Sequence, residues 1–216
     1  MSSARLTFVE RPAQGTPRGL LLLLHGVGAD ERSLGELALE QAPDQHVILP
    51  RGPLTFAPGA YGFFQVRFGP DGPVIDPAQA EASRRLLIDF VAAQQARLGI
   101  APARTVIAGF SQGGIMSASV GLTAPASVAG FAILSGRILP EIEPQVPADV
   151  GSHTTVALVM HGRRDDKLPF ALAERSAARL AHFGIAHELR AYDAGHALTP
   201  AMRSDFRAWL QRMRRD

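Results

Sequence analysis

Cysteine is absent from the 216 residues, lysine occurs once, at Lys167, and tryptophan once, at Trp209. Without cysteine there is no disulfide scaffold, no thiol nucleophile and no thiolate-ligated metal site. Long apolar runs are missing too. The leucine run Leu20 to Leu24 stops after five residues, far short of the roughly 20 that span a bilayer. The opening MSSARLTFVE has no apolar segment of signal-peptide length. Charge of one sign is also scarce, with 22 basic residues against 20 acidic ones. The high isoelectric point follows from arginine supplying nearly all of the basic residues, since arginine does not titrate below very high pH. It is therefore no argument for nucleic acid. The cluster Arg212, Arg214 and Arg215 reads as a solvated helix end near its negative dipole rather than an anchor to an anionic surface. The expectation is a cytoplasmic protein with no nucleic-acid partner and no stable membrane insertion.

Hydrophobic residues make up 46% of the chain and charged residues 19%, an ordinary globular balance. The length suits a single domain spanning residues 1–216, burying roughly 70% of its unfolded surface. Short apolar runs alternate with longer segments of helical period. Strands are expected at Leu6–Val9, Leu20–Leu24, Val47–Leu49, Thr105–Ala108, Val128–Leu134, Val156–Met160 and His187–Ala191. Several are apolar throughout, as strands are when covered on both faces. Helices are expected at 31–41, from 76 to a stop at Gly99, and at 112–121, 169–183 and 200–213. For the second, Asp76 is a good N-cap, Pro77 suits the first turn, and Gln79 stands where a capping box places it. Strands interleaved with helices predict an α/β fold with a mainly parallel sheet. Two stretches rich in Gly and Pro, 51–73 and 136–153, read as irregular loops.

The chemistry gathers at IAGFSQGG, residues 107–114, where Gly109 and Gly113 flank Ser111. A serine at a sharp strand-to-helix turn needs neighbours without side chains, because the backbone packs too closely there for a Cβ. The plain alternative is a serine helix cap. A nucleophilic hydroxyl needs a base, and the base an orienting carboxylate, which in this fold class follow in the order Ser, Asp or Glu, His. Asp165 and Asp166 follow the strand at 156–160, and His196 follows the strand at 187–191. The other histidines fit less well, His161 falling too early and His25 preceding the serine. His25-Gly26-Val27-Gly28 after the leucine run forms a glycine-rich loop. In such a fold the oxyanion hole combines the N–H after the nucleophile, here Gln112, with one from a loop of this kind.

The segments LLHGVGAD, ILPRGP, AGFSQGG, LSG, HGRRDDKLP and AGHAL, spread over nearly the whole chain, resemble the phospholipase/carboxylesterase family, which includes acyl-protein thioesterases. The resemblance implies an α/β-hydrolase fold without a large cap and a serine hydrolase acting on carboxylic esters, thioesters or lysophospholipids; no cofactor is expected, and no metal, since the chain has no cysteine and no His-x-x-x-His spacing on an expected helix. It implies Ser111 as nucleophile, Asp165 rather than Asp166 as the acid, His196 as base, and the N–H groups of Val27 and Gln112 as the oxyanion hole. A perhydrolase or peptidase on the same fold is the alternative, and a non-catalytic binding protein a more distant one. Many relatives carry Trp-Phe where this chain has Phe63-Phe64. Leu54, Phe56, Tyr61, Phe63, Phe64 and Phe68 are read either as an apolar wall beside the substrate or as a plug over the core. The expected partner is a small-molecule ester or thioester, and the assembly a monomer or homodimer.

Overall fold

The computed structural model describes residues 6–69 and 72–213. In chain order the first elements are β1 (Phe8–Arg11), β2 (Gly19–Leu24), α1 (Gly35–Leu39) and β3 (Gln45–Pro50). Two hairpins follow, β4 (Leu54–Ala57) with β5 (Ala60–Gly62) and β6 (Val66–Gly69) with β7 (Gly72–Ile75). Then come α2 (Pro77–Leu98), β8 (Thr105–Phe110), α3 (Gln112–Thr123) and β9 (Gly130–Leu134). The chain continues with β10 (Val156–Gly162), α4 (Ala171–His182), β11 (His187–Tyr192) and α5 (Pro200–Met213).

Seven strands form one sheet in the order β1-β3-β2-β8-β9-β10-β11, antiparallel only at β1–β3 and parallel elsewhere. The leucine run explains why. Alternate side chains of a strand point to opposite faces, and here both faces are covered. Leu20, Leu22 and Leu24 pack with residues of α2, α3 and α4, including Leu87, Met116 and Leu180. Leu21 and Leu23 pack with α1 and α5, including Leu37, Phe206 and Trp209. A strand apolar on one face only would leave the other layer without a partner. Fully burying such leucines contributes about 1.5–3 kcal/mol each.

All seven expected strands are present and join this sheet. The stretch 51–73 is not irregular, since it folds into most of the two hairpins. Gly59 turns the first at φ +76° and Gly72 opens β7 at φ +101°, a region closed to most side chains. Helix α1 is shorter than expected. Residues 31–34 form a turn in which Asp30 Oδ1 accepts from Arg32 N–H and Glu31 reaches away to Arg51. Asp76 caps α2 by accepting from the N–H groups of Ala78 and Gln79. Gln79 does not close a capping box: its Oε1 accepts from Gln65 N–H at 2.8 Å, and Asp76 N–H donates to Gln65 O. The cap therefore ties the second hairpin to α2. Of the expected arginine cluster, Arg214 and Arg215 lie outside the described residues. No described helix is long and apolar enough to cross a membrane.

Candidate active site

Parallel strands deliver their carboxyl ends to one edge of a sheet, and that edge is where open α/β sheets bind ligands. The register sets which loops meet there. Leu24 at the end of β2 lies opposite Gly109 near the end of β8, which puts the His25–Gly28 loop beside Ser111. Gly162 of β10 lies opposite Tyr192 of β11, so Asp165 and His196 each leave the sheet a few residues later on adjacent loops.

Ser111 joins β8 to α3 with φ 54° and ψ −115°, a strained conformation for a residue with a side chain. Surrounding contacts hold it there. Its N–H donates to Leu134 O at 2.8 Å, and its carbonyl accepts from Ile115 N–H at 3.1 Å. A Cβ on Gly109 would collide with the backbone of Gly113, and one on Gly113 with the carbonyls of Leu24 and His25. Only glycine lets β2, β8 and α3 approach this closely.

The structure brings Ser111, His196 and Asp165 into one hydrogen-bonded line. His196 Nδ1 lies 2.7 Å from Asp165 Oδ2, and Nε2 lies 2.9 Å from Ser111 Oγ. A carboxylate only accepts, so Nδ1 carries the proton and Nε2 is left to accept from the serine hydroxyl. The Asp165 side chain is fully buried. Its Oδ1 accepts from the N–H groups of Lys167 and Leu168 at 2.9 and 2.8 Å, so the carboxylate cannot rotate away. Asp166 is 74% exposed and among the described residues meets only Lys167 Nζ, at 3.5 Å. The sequence leaves the two aspartates adjacent; the structure turns one inward and the other to solvent.

Two clefts meet at Ser111. The larger, about 530 Å³, includes Gly26, Leu34, Phe110, His196 and Leu198. The smaller is a crevice of about 20 Å³ whose lining includes Val27, Phe64, Gln112, Ile115, Arg137 and Leu168. Val27 and Gln112 thus stand beside the serine, and no acceptor among the described residues takes either N–H.

The aromatic loop divides. Phe64 lines the crevice, whereas Phe63 is fully buried with its ring 5.3 Å from that of His25, a plug rather than a wall. Leu54 pairs across β4–β5 with Gly62, and the Phe56 ring lies over that glycine; neither lines the two clefts. Tyr61 acts through its backbone. Gly28 N–H donates to Tyr61 O and Tyr61 N–H to Ala29 O, at 2.8 and 2.9 Å, which pins the glycine loop. Its ring lies 4.3 Å under the Arg51 guanidinium. The side chain of Phe68 lies outside the described residues.

Four supports are not apparent from the sequence. The Gln112 side chain accepts from Phe63 N–H and donates to Phe64 O, both at 2.7 Å, so the residue after the serine also clamps the crevice wall. His25 accepts at Nε2 from Gly52 N–H at 2.9 Å and donates from Nδ1 to Gly26 O at 2.7 Å. His161, fully buried, donates from Nε2 to Leu168 O at 2.7 Å, with Asp165 Oδ2 at 3.2 Å. Burial lowers the pKa of both histidines, which keeps these tautomers neutral. Glu31 holds Arg51 in a two-pronged pair at 2.7 Å, and that hydrogen bonding brings its pKa down to about 2.

A model of the phospholipase/carboxylesterase family matches residues 5–213. The chain belongs to this family. An acyl-protein thioesterase 1 of Gibberella zeae is 25% identical over 98% of this chain and 97% of its own length. The crystal structure of esterase PE8 superimposes with a TM-score of 0.85 at 27% identity, covering 97% of this chain and 100% of that one. A Bacillus cereus carboxylesterase superimposes with a TM-score of 0.84 over 98% of this chain and 96% of its own, and at 20% identity it shows the fold alone. The fold is that of the α/β hydrolases, and family membership supports hydrolase activity.

Proposed function

We propose that the protein is a serine hydrolase that transfers the acyl group of a carboxylic ester or thioester to water. The observation that carries the reading is the line from Asp165 through His196 to Ser111, at 2.7 and 2.9 Å, ending on a serine held at positive φ. Ser111 Oγ attacks the carbonyl carbon while His196 Nε2 takes its proton. Asp165 holds the imidazole in the accepting tautomer and stabilises the imidazolium. The N–H groups of Val27 and Gln112 receive the oxyanion. The carbon–oxygen or carbon–sulfur bond then breaks, and His196 returns its proton to the departing atom. Water, deprotonated by the same histidine, frees the acid and restores the serine.

The leaving group must reach the proton on His196, so it occupies the larger cleft, which His196 lines. The acyl group enters the crevice beside Val27 and Gln112. The names of the relatives, thioesterase and carboxylesterase, support both classes of acyl donor. The reading calls for no metal or cofactor. Labelling with a fluorophosphonate, together with hydrolysis of p-nitrophenyl esters and thioesters of two to sixteen acyl carbons, tests it. Ser111→Ala is expected to abolish labelling and to lower kcat by about 10⁴-fold or more at nearly unchanged Tm. Full activity in that variant would refute the reading.

A further inference from the structure

Arg137 is the one charged residue lining the acyl crevice among the described residues. Its position is fixed from both sides. Ser135 takes φ 51°, which bends the chain so that Gly136 packs under the serine turn; a Cβ there would lie 2.9 Å from Ser111 O. On the other side, Ile138 N–H donates to Ser176 Oγ at 3.0 Å. The side chain is half-buried, and its Nε is shut off from solvent with no acceptor among the described residues. Arg84, which is also buried, makes a contrast. Its guanidinium bonds both oxygens of Glu81 and the hydroxyl of Thr123. The other crevice residues named above are apolar apart from Ser111 and Gln112, and the Gln112 side chain is already committed to Phe63 and Phe64.

A guanidinium presents a rigid fork of donors that matches a carboxylate. The buried Nε is out of a ligand's reach, but the Nη donors meet no acceptor among the described residues either, so the outer edge of the fork is open to one that a ligand brings. We propose that Arg137 receives a carboxylate at the far end of the acyl group, so that the preferred substrates are monoesters or monothioesters of short dicarboxylic acids. The crevice, at about 20 Å³, admits only a short chain. Burial lowers the pKa of Arg137, with the charge of Glu141 opposing it, in keeping with a cation that lacks a close counter-ion. The inference rests on the proposed hydrolase reading, in which the acyl group lies on this side of Ser111.

The test compares monoethyl glutarate with its neutral isostere ethyl 5-methylhexanoate, following ethanol release, in the wild-type protein, Arg137→Gln and Arg137→Lys. Fluorophosphonate labelling is measured on the same preparations. The wild-type protein is expected to favour the monoester by about tenfold or more in kcat/KM. In Arg137→Gln that ratio should fall by roughly a hundredfold, the size of effect expected when a charged hydrogen-bonding partner is lost. Arg137→Lys, which keeps the charge but not the fork, should fall between. A wild-type ratio of one or less, or a ratio unchanged in both variants, overturns the inference while labelling leaves the hydrolase reading standing. Absence of labelling in the wild-type protein overturns both.

Discussion

The two ends of the central sheet make an instructive pair, because the end with the more voluminous cleft is not the end where Ser111, His196 and Asp165 meet. At the amino end of β2 and β8, Arg18, Gln45, Arg104 and residues of α5 surround a cleft of about 620 Å³. At the carboxyl end the Ser111 cleft is smaller, about 530 Å³. The amino-end cleft contains two arginines and no nucleophile paired with a base. Around the carboxyl-end cleft the polar side chains are oriented by buried hydrogen bonds: Asp165 by two backbone N–H groups, His196 by Asp165, Gln112 by Phe63 and Phe64. Volume alone would choose the first; preorganised donors and acceptors choose the second.

Asp165→Asn should break that contrast most severely. An asparagine with its oxygen toward His196 Nδ1–H would bring its NH₂ to the N–H groups of Lys167 and Leu168, two donors face to face. Flipped to satisfy them, it would hold the imidazole in the tautomer that cannot accept from Ser111. We expect kcat to fall by about 10³–10⁴-fold with little change in KM. Asp166→Asn should cost roughly tenfold or less, because an exposed ion pair contributes about 0–1 kcal/mol. Kinetics of the two variants side by side check this; the reverse ranking would move the acid to Asp166.

Much of this end of the molecule was legible in the sequence for a definite reason. Buried parallel strands are continuous apolar runs, and a tight strand-to-helix turn demands glycines at fixed offsets, so both leave local marks. The two hairpins left weaker ones. β4 to β7 are short, interrupted by Pro and Gly, and paired as two separate hairpins outside the main sheet, with the Tyr61–Ala29 bridge as their link to the glycine loop. The supports were illegible for a different reason. Gln112 reaches residues 48 and 49 positions away, and Tyr61 holds the glycine loop through backbone atoms that its side chain does not advertise. Which of Phe63 and Phe64 lines the crevice is undecidable from the sequence, since both are apolar. The Gln112 clamp and Ser83 Oγ, 2.5 Å from Phe63 O, fix that register only in three dimensions.

A smaller effect sharpens the comparison through pH. His25 and His161 support the carboxyl-end site as neutral rings with lowered pKa values. The unfolded chain binds protons at these histidines near pH 6.5, where the folded protein does not. Stability from this source is therefore full above about 6.5 and is lost as pH falls from there toward the folded values. Glu31 adds a second loss lower down, from its unfolded range of about 4–4.5 toward about 2. Tm should drop by a few degrees between pH 7 and 5, roughly what 1 kcal/mol does to a domain of this size. The double variant His25→Gln, His161→Gln should be less stable at pH 7 yet flatter in slope. An undiminished slope would mean that other groups carry the dependence.

The least effect is expected at the opposite end. β2 has six residues, so at about 3.3 Å per residue the amino-end cleft lies roughly 20 Å from Ser111. Ionic screening at physiological salt has a decay length of about 8 Å, so removing charge there changes the potential at His196 very little. Arg18 and Arg104 are both exposed, and replacing them creates no cavity and strands no buried donor. Arg18→Ala with Arg104→Ala should leave kcat/KM within about twofold, and stability within the roughly 0.5 kcal/mol typical of surface changes. A loss above about fivefold, measured on the same ester used for the Asp165 variants, would show that the amino-end cleft does take part in the reaction and that the two ends are coupled.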